Sequence, residues 1–235
     1  MKISGSTALV TGANRGLGRH FARQLLERGA KKVYATARRP ELVDLPGVEV
    51  LRLDITDPAS VRAAASAAHD VTLLVNNAGI STGTNLVTGD LDTIRREMDT
   101  HYYGTLHMVR AFAPVLAASG GAILNVLSAM SWFAYDGANA YGAAKAAQWS
   151  LTNGIRLELA AQGTLVTGLH LGAADTDMMA DYEGEKVDPA EVVRAGLDGI
   201  EAGRFEVVVD DWSAHIKASL AADPSLFYTQ VPSAS

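Results

Sequence analysis

Short apolar runs alternate with longer segments of helical periodicity along most of the chain. The runs are four to six residues long and nearly all apolar, as in strands that are buried on both faces. Strands are predicted at Thr7–Val10, Lys32–Thr36, Val48–Leu53, Val71–Val75, Ala122–Leu127, Thr164–Leu169 and Phe205–Val209. Helices are predicted at Leu17–Arg28, Pro58–Ala68, Ile94–Leu116 and Ala140–Ala161. This alternation predicts an α/β protein, a doubly wound parallel sheet of about seven strands with right-handed crossovers and helices on both faces.

Capping residues mark the ends of the predicted helices, and the continuity of the pattern indicates the number of domains. Gly29 is a plausible C-terminal cap, and Asp57 with Pro58 is typical of a helix start. Because no repeat, low-complexity tract or linker interrupts the pattern, residues 1–235 are expected to form a single domain. Residues 176–188, rich in Gly, Asp and Glu, are expected to be a mobile lid segment, and residues 210–235 a C-terminal segment near the site.

Composition excludes several classes of function. The 235 residues contain no cysteine, so disulfides, thiolate metal sites and a cysteine nucleophile are excluded. The six histidines lack metal-ligand spacing, and no metal is expected. The net charge of −6 argues against nucleic acid as a partner. The N-terminus does not resemble a secretory signal, and no run approaches the ~18 apolar residues of a membrane span. A soluble, cytoplasmic protein without a membrane partner is expected.

A glycine-rich turn, Gly12-Ala-Asn-Arg-Gly16-Leu-Gly18, joins the first predicted strand to the first helix. A helix N-terminus presents unpaired N–H groups and the positive end of the helix dipole, and glycines let a pyrophosphate approach the backbone. The turn therefore indicates a dinucleotide site. The alternative is a tight turn that binds no ligand.

Basic residues after the second predicted strand indicate which nucleotide would bind. An acidic residue at this point would favour a ribose 2′-hydroxyl, but the sequence has Arg38 and Arg39, and Arg15 adds a cation in the glycine turn. Guanidinium groups hold a phosphate by forked hydrogen bonds, which favours NADP(H) over NAD(H). The alternative is a solvated turn. Asp54, after the third strand, is expected to face the adenine, or to be a plain turn aspartate.

Tyr141 and Lys145 are four residues apart on one predicted helix, so their side chains share a face. A lysine ammonium beside the phenol is expected to lower the pKa of Tyr141, which would then exchange a proton with a carbonyl or alcohol oxygen. Ser128 follows the fifth strand, at the sheet edge where ligands bind, and is expected to hydrogen-bond the same oxygen. Ser131 is a competing candidate for that role.

Taken in order, these motifs resemble the short-chain dehydrogenase/reductase family over roughly Ser4–Val209. The series continues with Asn76-Asn77-Ala78-Gly79, and thirteen positions separate Ser128 from Tyr141, as in the family. The resemblance implies a Rossmann-like fold, Tyr141 as acid/base, Lys145 also holding the nicotinamide ribose, and a homodimer or homotetramer formed through the Ile94–Leu116 and Ala140–Ala161 helices. The expected NADP(H)-binding residues are Gly12, Asn14, Arg15, Gly16, Leu17, Gly18, Arg38, Asp54, Ile55, Asn77, Ala78, Gly79, Tyr141, Lys145 and Thr176.

Three positions depart from the family pattern. The family's Asn-x-x-Gly is His101-Tyr-Tyr-Gly104 here, so His101 is expected to hold a relay water or contact substrate, or else to be a core histidine. The family's Pro-Gly after the sixth strand is Leu171-Gly172, with Ala174 in place of a larger aliphatic residue. Asp136-Gly137 replaces another Pro-Gly and carries no functional expectation.

Aromatic residues and methionines near the predicted site suggest a hydrophobic substrate. The expected substrate residues are Met130, Trp132, Phe133, Met179 and Tyr182. The alternative for Trp132 and Phe133 is packing against a neighbouring helix or subunit. The main hypothesis is an NADPH-dependent carbonyl reductase for a hydrophobic ketone or aldehyde, or the reverse alcohol oxidation. A reductase of C=N bonds and a non-catalytic NADP(H)-sensing protein are the alternatives.

Overall fold

Seven parallel strands form one sheet in the order β3-β2-β1-β4-β5-β6-β7, in a computed structural model that describes residues 1–229. The strands are β1 (Thr7–Thr11), β2 (Lys32–Ala37), β3 (Glu49–Arg52), β4 (Leu73–Asn76), β5 (Ala122–Val126), β6 (Leu165–His170) and β7 (Glu206–Val208). The helices are α1 (Gly16–Glu27), α2 (Pro58–Ala67), α3 (Leu91–Met98), α4 (Thr105–Ala117), α5 (Asn139–Glu158), α6 (Pro189–Glu201), α7 (Asp211–Ser219) and α8 (Pro224–Tyr228). The predicted parallel α/β sheet is confirmed.

Both faces of the sheet are buried because successive side chains of a strand point to opposite sides. In β1, Ala8 and Val10 join the hydrophobic cluster that contains Phe21 of α1, while Leu9 joins the cluster that contains Phe112 of α4. Helices α1 and α6 cover the first face, and α2, α4 and α5 cover the second. This two-sided burial explains why the strands read as continuous apolar runs.

The structure corrects two features of the predicted helices. The helix expected over Ile94–Leu116 is divided, because a π-helical turn at Asp99–Gly104 separates α3 from α4. Helix α6 is absent from the prediction, although Asp188 caps it and Pro189 begins it, as Asp57 and Pro58 do in α2. No helix within residues 1–229 has the length and apolar composition that a membrane span requires.

The two segments expected near the site have local structure. Within the lid segment, Asp177–Met179 forms one helical turn, and the base of the segment is joined by an Ala174–Val187 bridge. The C-terminal segment includes α7 and α8, and its last residues, 230–235, lie outside the described part of the chain.

Candidate active site

A cleft of about 480 Å³ opens at the carboxyl ends of the strands, where open parallel sheets bind ligands. Most of the predicted site residues meet on its wall. These are Gly12, Asn14, Arg15, Gly16, Leu17, Arg38, Asp54, Ile55, Asn77, Ala78, Gly79, His101, Ser128, Tyr141, Lys145, Thr176 and Met179. The sheet order reverses between β1 and β4, so the glycine turn after β1 and the Asn77–Gly79 segment after β4 lie side by side.

Glycines shape one end of this cleft. Gly12 and Gly16 have φ angles of +67° and +50°, which side chains rarely adopt. A Cβ on Gly12 would lie 3.0 Å from the Cα of Ala78, so the two backbone segments approach closely. Gly18 does not line the cleft; a Cβ there would lie 2.1 Å from the carbonyl oxygen of Gly12, and the position therefore serves the packing of α1 against the turn.

Asn77 joins the glycine turn to the segment after β4. Its side-chain Nδ2 donates to the carbonyl oxygen of Thr11 over 2.9 Å, and its backbone N–H donates to the Thr11 Oγ1, also over 2.9 Å. The N–H of Ala78 donates to the same Oγ1 over 2.9 Å. These bonds fix the start of the glycine turn against the segment after β4.

The same end of the cleft is basic. Arg15, Arg38 and Arg39 all line it, and neither the Arg38 nor the Arg39 side chain has a hydrogen-bond or ion-pair partner among residues 1–229. Arg15 lies 3.4 Å from Asp177 in the lid segment, but both side chains are mostly exposed, so this pair contributes little stability. Asp54 Oδ1 accepts hydrogen bonds from Thr56 and thereby orders the turn after β3.

Ser128, Tyr141 and Lys145 lie together at the other end. Tyr141 and Lys145 project from α5, with Lys145 Nζ 5.6 Å from the centre of the Tyr141 ring. Ser128 follows β5, and its Oγ accepts the N–H of Met130 over 3.1 Å, which leaves the hydroxyl proton free to donate. Ser131 is buried and does not line the cleft, so the geometry places Ser128 and not Ser131 beside Tyr141.

Burial dominates the acid–base properties of this pair. Burial raises the pKa of Tyr141 to about 12, although the Ser128 hydroxyl acts in the opposite direction. Burial also lowers the pKa of Lys145 to about 7. The expectation that Lys145 lowers the pKa of Tyr141 is therefore wrong for the protein groups alone. A desolvated lysine is a poor source of positive charge, and the cost of burying a phenolate exceeds its attraction.

Lys145 is held by groups that the sequence interpretation missed. Its Nζ donates to the carbonyl oxygen of Val126 over 2.8 Å and to Gln148 Oε1 over 3.0 Å. Gln148 Nε2 in turn donates to Thr105 Oγ1 over 2.8 Å. The signal for Gln148 was available, since it follows Lys145 by three positions on the same helix face.

The π-helical turn brings His101 to the cleft. Its ring is 1% exposed and meets the ring of Tyr141 edge to face, with the centroids 5.2 Å apart. His101 thus lies beside the acid/base candidate. Turns of this kind often occur at functional sites.

Four of the expected substrate residues do not line the cleft, and these expectations are corrected. Trp132 stacks on His170 at a centroid distance of 3.9 Å. Phe133 meets Trp212 and Phe227 of the C-terminal segment. Met130 lies against Gly142 of α5, and Tyr182 folds back over Gly184 within the lid segment. Burial of an aromatic ring against other rings is favourable, which explains the positions of Trp132 and Phe133.

Of the apolar candidates, Met179 lines the cleft together with Met178, Leu171 and Ala174. The C-terminal segment covers the outside of the Ser128 loop instead, where the backbone N–H of Ala134 donates to the Tyr228 hydroxyl over 3.0 Å.

His170, which has no metal-ligand spacing in the sequence, supports the backbone of Ser128. It is completely buried, and its Nδ1 lies 3.1 Å from the carbonyl oxygen of Ser128. Burial lowers the pKa of His170 to about 4, so the ring is neutral and its Nδ1–H donates to that carbonyl. This contact joins the end of β6 to the segment after β5, and no local sequence motif predicts it.

Comparisons with known proteins agree with this geometry. The model of the short chain dehydrogenase family matches residues 6–186. A short chain dehydrogenase from Burkholderia cenocepacia, solved in complex with NADP, is 40% identical; the similarity covers 100% of both chains with a TM-score of 0.95. The chain belongs to the short-chain dehydrogenase family and is an oxidoreductase of that class.

Two characterised relatives show how varied the substrates of similar proteins are. An NADPH-dependent 1-acyldihydroxyacetone phosphate reductase from Schizosaccharomyces pombe is 32% identical over 77% of this chain, which spans 64% of that protein. A serine 3-dehydrogenase from Agrobacterium fabrum is 30% identical over 83% of each chain. Both substrates are small molecules, and they differ in chemistry.

Proposed function

We propose that this protein is an NADP(H)-dependent carbonyl reductase, acting on a hydrophobic ketone or aldehyde or on the corresponding alcohol. One observation carries the proposal: a single cleft has a buried serine and lysine and a half-buried tyrosine at one end and three guanidinium groups at the other. The first set suits proton transfer to a carbonyl oxygen, and the second suits a phosphate.

The cleft fits such a cofactor. The glycine turn admits a pyrophosphate at the N-terminus of α1, because a Cβ on Gly12 would fill the space beside Ala78. Arg38 and Arg15 would hold a 2′-phosphate, and Lys145 the ribose of the nicotinamide. The bound nicotinamide would supply or accept a hydride. The NADP complex of the Burkholderia cenocepacia relative supports this assignment.

The protonation state of Tyr141 suits it as the acid in carbonyl reduction. Because the pKa of Tyr141 is raised to about 12, its phenol is protonated at neutral pH and available as the acid. Tyr141 donates this proton to the carbonyl oxygen while the Ser128 hydroxyl donates a hydrogen bond to the same atom. In the reverse direction the tyrosine would accept the proton of the alcohol, so the same residue would serve oxidation.

The apolar part of the wall selects the substrate. Leu171, Met178 and Met179 present aliphatic and thioether groups on the cleft wall, and methionines adapt to irregular apolar shapes. Since Trp132 and Phe133 pack elsewhere, the pocket is less aromatic than the sequence suggested. Hydrophobic ketones and aldehydes therefore suit it.

Replacing Tyr141 by Phe tests the acid role. Tyr141→Phe is expected to abolish reduction of aryl and alkyl ketones, followed by NADPH consumption, while NADPH binding measured by fluorescence stays within about threefold. The matched control is Tyr135→Phe, at a half-buried tyrosine that does not line the cleft and whose hydroxyl has no hydrogen-bond partner among residues 1–229. If Tyr141→Phe keeps more than about a tenth of kcat, less than about 1.4 kcal/mol of barrier is lost and the assignment is wrong.

Replacing Arg38 tests the cofactor. Arg38→Asp is expected to weaken NADPH at least tenfold more than NADH, since a carboxylate repels a 2′-phosphate and accepts a 2′-hydroxyl. Arg110→Asp, on α4 and away from the cleft wall, is the charge-matched control. Equal losses for both nucleotides would refute the phosphate role.

A panel of ketones, aldehydes and cyclic imines, followed by NADPH consumption, separates C=O from C=N reduction. Tight NADPH binding without turnover of any of these substrates would indicate a sensor.

We further propose that residues 1–235 act as one domain and assemble as a homodimer or homotetramer through the surfaces of α4 and α5. Leu157 of α5 is 79% exposed and Tyr103, just before α4, is 47% exposed, which is unfavourable for a surface in water. Light scattering and a thermal scan test this: a monomer would exclude the assembly, and two separate unfolding transitions would exclude a single domain.

A further inference from the structure

A buried carboxylate lies directly behind the π-helical turn. Glu97, in the last turn of α3, is completely buried, and its Oε1 accepts the N–H of Thr82 over 2.7 Å. Its Oε2 lies 3.3 Å from His101 Nε2. Burial raises the pKa of the Glu97 carboxyl, but the bonds from His101 and Thr82 outweigh it and the net pKa is lowered, so this group is an anion inside the protein. The proposed reduction does not use the Glu97 carboxylate.

The surroundings of His101 define which ring nitrogen carries the proton. Nε2 lies 2.8 Å from the carbonyl oxygen of Ile80 and 3.3 Å from the Glu97 carboxylate, which only accept, whereas the one donor beside it, the N–H of Ile80, is farther away at 3.4 Å. Burial, followed by the nearby Lys145, lowers the pKa of His101, so the ring is neutral. Nε2 therefore bears the hydrogen, and Nδ1 has a free lone pair.

That lone pair is buried and faces no donor within residues 1–229. The ring edge borders Gly79, where a Cβ would lie only 2.7 Å from His101 Cε1, and it meets Tyr141 edge to face. A buried acceptor without a donor is unfavourable, and a ligand that supplies the donor would account for its presence.

We propose that Glu97 and His101 form a buried acceptor pair, in which Glu97 orients the ring and His101 Nδ1 accepts a hydrogen bond from a hydroxyl of the bound ligand beside Tyr141. The hydroxyl belongs either to the cofactor ribose or to a substrate that carries one next to its carbonyl. In this scheme His101 contacts the ligand and Glu97 is a positioning residue. The substrate half rests on the proposed reductase function, whereas the ribose half needs only cofactor binding.

The experiment compares His101→Phe, which keeps an aromatic ring but removes both nitrogens, with Glu97→Gln, which keeps the shape but removes the charge. His69→Phe, at an exposed histidine before β4, is the matched control. For each, the Kd of NADPH is measured by fluorescence, and kcat/KM is measured for the pair acetophenone and 2-hydroxyacetophenone. Thermal scans accompany both measurements.

A substrate hydroxyl predicts that His101→Phe lowers the preference for 2-hydroxyacetophenone over acetophenone at least tenfold, with Glu97→Gln intermediate and the Kd of NADPH unchanged. A ribose hydroxyl predicts at least a tenfold weaker NADPH complex and no change in that preference. If His101→Phe leaves both quantities within twofold of the wild type, the acceptor role is refuted.

A measurement on the wild-type protein keeps the inference testable if a variant fails to fold. Nitrogen-15 NMR of the histidine rings is expected to show His101 protonated on Nε2 alone at neutral pH. A ring protonated on Nδ1, or on both nitrogens, would overturn the proposal. Failure of the reductase function appears separately, as absent turnover with normal NADPH binding and an unchanged His101 tautomer.

Discussion

Replacing His170 by Asn should change how the stability of this protein depends on pH. The ring is fully buried between Trp132 and the Ser128 loop, and burial lowers its pKa to about 4. The charged groups around it are Lys217 and Lys145, which lower the pKa further, and Glu206, whose carboxylate lies 3.7 Å from Nε2. Their net effect is a ring that the fold keeps neutral.

The magnitude follows from linkage between protonation and folding. In the unfolded chain the ring has its ordinary pKa of 6.5, so between pH 6.5 and 4 the unfolded state binds a proton that the folded state does not. Stability is therefore complete above pH 6.5 and is lost as the pH falls. The pKa values of the unfolded and folded states differ by about 2.5, and each pKa unit corresponds to about 1.36 kcal/mol. At pH 4, where the folded ring is half protonated, the loss of folding stability is therefore about 3 kcal/mol.

Urea unfolding of wild type and His170→Asn at several pH values between 7 and 4 measures this effect. The variant should be less stable at pH 7, because it loses the stack on Trp132, but the difference should shrink by up to about 1.4 kcal/mol per pH unit below 6.5. His69→Asn controls for the exchange as such. Parallel stability curves for wild type and His170→Asn would refute the reasoning, as would an NMR pKa of 6.5 or higher for this ring.

Three further changes have expected outcomes. Gly18→Ala should weaken NADPH binding at least tenfold by fluorescence titration, because its Cβ would lie 2.1 Å from the Gly12 carbonyl oxygen and displace the turn; wild-type affinity would contradict this. Phe112→Ala should lower the free energy of unfolding by about 3–5 kcal/mol in urea, since this α4 side chain is fully buried in the core. Asp57→Ala should cost about 1 kcal/mol in the same assay through loss of the cap bond from the Ala59 N–H, and an unchanged midpoint would exclude that role.

Much of the fold was predictable because it depends on interactions between residues that are close in the sequence. The strand runs and Asp57 with Pro58 depend on periodicity and capping, which act over a few residues. The π-helical turn was not predictable in this way. It begins in a segment whose apolar periodicity reads as one continuous helix, and it is accompanied by the packing of Gly104 against Ile55, a residue from a distant part of the chain.

In the candidate site, too, some contacts follow from local spacing and others depend on the assembled fold. Tyr141 and Lys145 share a helix face, so their meeting follows from their spacing. Glu97 with His101 also has a helical spacing, but the significance of this pair depends on complete burial, which only the assembled fold supplies. His170 touches the backbone of Ser128 through strand pairing across the sheet, a contact between residues far apart in the chain.

The sequence by itself determined the order of strands and helices, the glycine turn and the residues available for proton transfer. The tertiary structure decided their properties. It buried Lys145 and withdrew Tyr141 partly from water, which lowered the pKa of the lysine and raised that of the tyrosine, and it turned Trp132 away from the cleft onto His170. The physical reason is that the free energy of a charge or a ring depends on how completely distant segments exclude water from it.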